Sequence, residues 1–255
     1  MKIATWNVNS LRVRLPQVLN WLGREQPDVL AIQETKITDD AFPVAELAEA
    51  GYRSVYSGQK TYNGVAVLSK LDLADPVTDP EGFDDPQRRI LAVTVGDYRI
   101  VNLYVPNGGE VGSDKYAYKL DWLAKIRNYL SLELERHRRL IVLGDFNIAP
   151  EDRDVYDPEA WRERILCSTP EREAFRALLD VGLIDVFRRF EQAEKSYTWW
   201  DYRLNAFRRN MGLRIDHILV SASAAEDCLA CRIDVEPRKL ERPSDHAPMV
   251  AEFRA

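Results

Sequence analysis

The stretch that most constrains this chain is Leu140-Ile141-Val142-Leu143-Gly144-Asp145-Phe146-Asn147. Four apolar residues in a row describe a buried strand. Gly144 lets the backbone pass another group closely, and the apolar run stops there. Side chains alternate along a strand, so Asp145 and Asn147 leave on one face. Such a strand delivers a carboxylate and an amide side by side. On its own the segment reads equally well as a strand end followed by an Asx turn. The other polar segments decide between the two.

The same grammar recurs along the chain. Asn7 closes an Ile3–Asn7 strand, and Glu34 follows Val29-Leu30-Ala31-Ile32. Tyr104 closes Tyr98–Tyr104, Asp216 interrupts an apolar Arg214–Val220 strand, and Asp245-His246 precedes Met249–Phe253. Each has an ordinary reading as a solvated strand end, a rim aromatic or a turn. A carboxylate inside an apolar strand, as at Asp216, needs a partner. All of these segments ending alike points to convergence at one rim.

Convergence has an electrostatic consequence. Two carboxylates about 4 Å apart repel by roughly 4 kcal/mol at an effective dielectric of 20. Several cannot share a site ionised without a cation. Carboxylate and amide oxygens are hard donors, which point to magnesium or manganese. Such a site completes its shell with substrate phosphate, and the matching chemistry is phosphoester hydrolysis.

The rest of the chain frames this rim. A helix is predicted from about Val13–Leu15 to Glu25, because Pro16 belongs in a first turn. Others are predicted from Lys115 to about His137, over Pro158–Ile165, and from a Thr169 cap over Phe175 to Gly182. Further short strands fall at Tyr52–Ser57, Val65–Ser69, Ile90–Val95, Thr198–Trp200 and Ala230–Val235. About a dozen strands exceed what one twisted open sheet usually holds, so two packed sheets are expected. The expected fold class is α+β, a four-layer α/β/β/α sandwich of mostly antiparallel sheets with outer helices, one domain over residues 1–255.

Composition excludes several classes. No apolar run approaches a membrane span, and the N-terminal stretch does not read as a signal peptide. Three Cys residues suit a reducing cytosol, so a cytoplasmic monomer is expected. Cys228 and Cys231 form a CxxC without the further Cys and His that a zinc site needs. The net charge of −6 argues against a nucleic-acid partner only globally. Tyr202 to Arg214 carries four Arg and no acid, interleaved with aromatic residues. That composition suits DNA phosphates and unstacked sugars or bases. Arg12, Arg88-Arg89 and Lys115 extend the basic patch.

Here the residues carry a resemblance. Trp6-Asn7-Val8-Asn9, Gln33-Glu34-Thr35-Lys36, Leu143-Gly144-Asp145-Phe146-Asn147, Leu213-Arg214-Ile215-Asp216 and Ser244-Asp245-His246-Ala247-Pro248 resemble the exonuclease III family of apurinic/apyrimidinic endonucleases, in that family's order. The resemblance implies a deoxyribonuclease I-like sandwich. It implies that Glu34 binds the metal with Asn7 nearby, and that Asp145, Asn147, Asp245 and His246 stand around it. Asp145 would activate water, Asn147 would orient it and hold the oxyanion, and Asp216 would pair with His246 at the scissile phosphate. Tyr104 would support the phosphate or the leaving group. His246 is the other candidate base. Arg12, Arg88, Asn107, Lys115, Trp199, Arg203 and Arg214 would contact DNA. Trp199, Leu213 and Ile215 would build a pocket for a baseless sugar. The implied activity is a magnesium- or manganese-dependent DNA repair nuclease: a 3′→5′ exonuclease on duplex DNA, a 3′-phosphatase, and incision 5′ to abasic sites. The alternatives are a phosphoesterase for another substrate, or an inactive nucleic-acid-binding regulator.

Overall fold

The computed structural model describes residues 1–83 and 85–254. Two six-stranded sheets stack face to face among the described residues. The first runs β13-β14-β1-β2-β4-β3, with β1 Lys2–Asn7, β2 Val29–Gln33, β3 Arg53–Ser57, β4 Val65–Ser69, β13 Cys228–Ile233 and β14 Met249–Phe253. The second runs β5-β6-β7-β8-β12-β9, with β5 Ala74–Val77, β6 Ile90–Val95, β7 Tyr98–Tyr104, β8 Leu140–Asp145, β9 Leu183–Asp185 and β12 Asp216–Ser221. A small hairpin, β10 Trp199–Trp200 with β11 Gly212–Leu213, stands apart. The helices are α1 Leu11–Glu25, α2 Val44–Glu49, α3 Asp114–Arg136, α4 Pro158–Trp161, α5 Thr169–Asp180 and α6 Ala222–Asp227.

Each sheet is antiparallel except for one parallel pair, β1 with β2 and β7 with β8. Parallel neighbours need a crossover, and α1 and α3 supply them. Helix α1 lays Val18, Trp21 and Leu22 on one outer face, with Trp6 against Trp21. Helices α3 and α5 cover the other with Trp122, Ile126, Leu130, Phe175 and Leu178. Ser113 caps α3 by accepting from the Tyr116 amide at 3.2 Å. The expected four layers are present.

Strand parity then aims the polar ends. Ile3 on β1, Ile100 on β7, Ile141 and Leu143 on β8 and Ile218 on β12 all face the gap between the sheets. Counting by twos from them places Asn7, Tyr104, Asp145 and Asp216 in that gap at one end. Register agrees, pairing Tyr104 with Asp145 and Asp216 with Asp145.

Several boundaries differ from expectation. Helix α1 starts at Leu11, which leaves Pro16 inside it. Pro16 is exposed, and the carbonyl it cannot satisfy, four residues back, belongs to exposed Arg12. Helix α5 is capped by Ser168 in a capping box with Glu171, one residue before the expected Thr169. The Arg214–Val220 strand is broken: β12 begins at Asp216. Strand β5, which contains Pro76, and helix α2 were not anticipated from the sequence.

Candidate active site

Gly144 makes the close approach that its strand requires. A Cβ there would sit 1.9 Å from the Leu103 carbonyl oxygen, and its φ is +140°. Only glycine lets β8 press against β7 at this point. Asp145 follows, fully buried, with Asn147 in the left-handed region at φ 50°. The strand ends at Asp145, so Asn147 does not continue its alternation.

One amide joins the two sheets. Asn7 Nδ2 donates to Glu34 Oε1 at 2.9 Å and to Asp145 Oδ2 at 2.8 Å. Glu34 itself holds a left-handed φ of 52° just past β2. A non-glycine residue in that region is strained, and such strain concentrates at functional sites. Across the gap, His246 Nδ1 meets Asp216 Oδ2 at 2.8 Å, and its Nε2 lies 3.8 Å from Asp145 Oδ2. Tyr104 lies close enough to Glu34 to feel its charge, and the Arg89 guanidinium lies 4.5 Å from its ring centre.

The electrostatics sort the roles. Burial raises the Asp145 carboxyl, Asp216 and Glu34 raise it further, and His246 and the Asn7 amide oppose them; the result is about 7. Burial pulls the His246 imidazole down, but Asp216 and Asp145 outweigh it and lift it to about 10. Burial also lifts the Tyr104 phenol well above its ordinary range. Near neutral pH, then, His246 is a cation and Asp145 stands near its own midpoint.

The donor set suits a divalent ion. Asp145 and Asp216 place carboxylate oxygens within 4.8 Å of each other, with the His246 imidazolium beside them and not as a ligand, and Glu34 shares the Asn7 amide with Asp145. Asp216 Oδ1 is buried without a hydrogen-bond partner among the described residues. Crowded carboxylate oxygens with an orphan among them fit a hard cation.

Asp245 is held by neighbours of its own. Its Oδ1 accepts from Asn9 Nδ2 at 2.9 Å and its Oδ2 from the Trp199 indole at 3.0 Å. Lys36 completes a relay, with its Nζ 2.6 Å from Asn9 Oδ1 and 2.8 Å from Glu34 Oε2. Asp245 is therefore linked to Glu34 through Asn9 and Lys36. Asn147 is also turned inward. Its Nδ2 donates to Val105 O and Asp145 Oδ2, and its Oδ1 accepts from Asn107 Nδ2 at 3.1 Å. Asn147 thus contacts Asp145 through both its backbone N–H and its side-chain amide.

The expected DNA contacts divide in two. Arg12, Asn107 and Lys115 are exposed; Arg88 is paired with Asp79, and Arg203 with Asp201. Arg214 is a correction. It is 1% exposed, donates to Asp154 and Asp185, and meets His217 Nδ1 at 3.0 Å. It is the anchor of a buried ion-pair network and offers nothing to a phosphate. Leu213 and Ile215 are 0% and 1% exposed, packed with Leu166 and Cys167 beneath Trp199. They pack against the Trp199 ring.

Sequence reading missed Lys119. It is fully buried on α3, pairs with Glu171, and donates to the backbone carbonyls of Asn147 at 2.6 Å and Asn107 at 3.2 Å. A lysine one turn from Lys115 gave only the signal of another helix-surface charge. It also missed the polar layer beneath the site, where Gln33 Nε2 donates to Asn102 Oδ1 at 2.7 Å and to Thr5 Oγ1 at 2.9 Å.

A four-layer sandwich with crowded carboxylates and an Asp–His couple at one rim defines a phosphoesterase class of centre. The chain belongs to the endonuclease/exonuclease/phosphatase family, whose profile matches residues 4–246. It is 37% identical to exodeoxyribonuclease III of Haemophilus influenzae over 100% of both chains. A solved Neisseria 3′ phosphatase bound to a product DNA hairpin matches with a TM-score of 0.98 and 51% identity, covering 100% of both chains. An AP endonuclease from Archaeoglobus fulgidus matches with a TM-score of 0.94 and 39% identity, also covering 100% of both. The sandwich is thus the deoxyribonuclease I-like fold of exonuclease and AP endonuclease structures.

Proposed function

We propose that this protein is a magnesium-dependent DNA repair nuclease that trims 3′ ends, removes 3′ phosphates and incises 5′ to abasic sites. The observation that carries the reading is the meeting of Asn7, Glu34 and Asp145 opposite the His246–Asp216 couple. The relatives supply the substrate class: one acts as an exodeoxyribonuclease, one was solved with a product DNA hairpin, one is an AP endonuclease.

Asp145 is the base. Asn7 Nδ2, Asn147 N and Asn147 Nδ2 fix its carboxylate in one orientation, as a base that must meet a positioned water requires. His246 is the cation that meets the scissile phosphate, with Asp216 holding Nδ1 and leaving Nε2 free to donate. The Tyr104 phenol, kept protonated by burial and by the Glu34 and Asp145 charges, is a proton donor at the rim. Glu34 and Asp145 would hold the magnesium ion, which would polarise the phosphoryl oxygen and offset its charge. Lys119 and Asn107 fix the turn that carries Asn147. Arg12 and Lys115 lie exposed for phosphates on either side. Three free cysteines suit a cytoplasmic setting, and no helix among the described residues is long and apolar enough to cross a membrane.

The test is hydrolysis of a 3′-phosphate hairpin, a blunt duplex and an abasic duplex, with and without magnesium. Asp145→Ala should lose about 10³-fold in kcat on each DNA that the wild type cleaves, with DNA binding held within about tenfold. A fully active variant removes the base assignment. A wild-type chain inert on all three DNAs removes the reading.

A further inference from the structure

A cavity of about 390 Å³ lies beside the rim, lined by Tyr156, Trp161, Trp199, Asp201, Arg203 and Leu204, with Ala206 and Met211 behind. We propose that it is a stacking subsite for an unpaired nucleobase of the DNA strand being processed. The proposal rests on the nuclease reading above and names the kind of end that the site prefers: a frayed or mismatched 3′ terminus.

Trp199 links the cavity to the chemistry. Its ring forms a cavity wall, its indole donates to Asp245, and its backbone bridges to His246. A base held here would be close to the scissile phosphate. The walls are of the right kind, because every base has a π-face and aromatic side chains take it without regard to sequence. Tyr156, Trp161 and Trp199 are all half-buried, so their faces are presented and not sealed in the core. The charged residues of the lining, Asp201 and Arg203, pair with each other, and Arg208 and Arg209 lie on the loop that bears Leu204.

That loop is strained. Leu204, Asn205 and Asn210 hold left-handed φ values of 60°, 52° and 50°. The strain presents Leu204, 73% exposed, at the cavity mouth. Holding a large apolar side chain in water on a strained backbone is unfavourable for the free protein. A base on the cavity floor would take Leu204 out of water. The space beneath Trp199, in contrast, is filled by Leu213 and Ile215, so a displaced base finds room only on the outward side.

The test uses the whole chain and two DNA hairpins with a 3′ phosphate, one with a paired and one with an unpaired terminal nucleotide. Each carries 2-aminopurine as the terminal base. The wild type should quench the unpaired 2-aminopurine on binding and hold that hairpin more tightly. Trp161→Ala should lose the quenching and raise KM on the unpaired end about tenfold, with kcat unchanged, since one stacked base is worth about 1–3 kcal/mol. On the paired end it should stay within about twofold of wild type. Trp161→Phe should restore most of the preference. Unquenched 2-aminopurine with the wild type, or a Trp161→Ala variant that keeps its KM on the unpaired end, overturns the subsite. A wild-type chain that cleaves neither hairpin overturns the nuclease reading instead, and the quenching arm, which needs only binding, still decides the subsite.

Discussion

The β1–α1–β2 unit and the β7–α3–β8 unit share one plan. Each is a parallel pair joined by an outer helix, and each delivers polar residues at the carboxyl ends of its strands. They support those residues differently. Glu34 leaves the first unit on a strained residue, its charge met by Lys36 in a pair with side chains 27% and 17% exposed. Asp145 leaves the second unit on an unstrained strand, behind which lies a fully buried Lys119–Glu171 pair. The first end can adjust to what binds it. The second is held by buried hydrogen bonds and a buried ion pair.

Two pairs of variants and one single substitution test that contrast. The largest effect belongs to the cations. Lys119→Met leaves Glu171 buried without its partner and should cost about 3–5 kcal/mol of stability in denaturant titration. Lys36→Met should stay within about 1 kcal/mol, because its pair is part-exposed. Equal losses would break the distinction between the two units.

The glycines come next. Gly144→Ala meets a backbone carbonyl that cannot move without unpairing β7 from β8, and should cost about 3 kcal/mol. Gly64→Ala, at φ +90°, meets the Thr35 hydroxyl, which can rotate away, and should cost about 1 kcal/mol. Thermal melts of the two variants decide the order.

The smallest effect is in the crossover helices. Pro16→Ala restores one backbone donor on the exposed side of α1 and should stabilise by about 1 kcal/mol or less. A loss on the same melt would mean that the proline's fixed φ matters more than the missing bond.

The sequence made much of this site visible because its logic is local. A strand that turns from apolar to polar can be read residue by residue, and parity then says which side chains share the gap. The strand boundaries at Val65–Ser69, Ile90–Val95 and Tyr98–Tyr104 follow for the same reason. What stayed hidden depends on distant partners. Arg214 reads as a DNA contact in a basic loop, yet Asp154 and Asp185 claim it from 60 and 29 residues away. Lys119 reads as a surface charge until α5 brings Glu171 against it. Strand β5 was obscured by Pro76, which an edge strand tolerates. Pro16 misled because the rule that confines proline to a first turn relaxes on a solvent-facing helix side.

The pairing of β14 with β1 joins residues some 240 positions apart, where Ser244 Oγ donates to the Asn7 carbonyl just before His246. A ribosome releases Asn7, Glu34, Asp145 and Asp216 long before it releases the histidine that completes them. The half-made chain carries its carboxylates but lacks the buried cation that would face a phosphate. The cluster at the rim is therefore complete only when β14 docks on β1, after nearly the whole chain has been made.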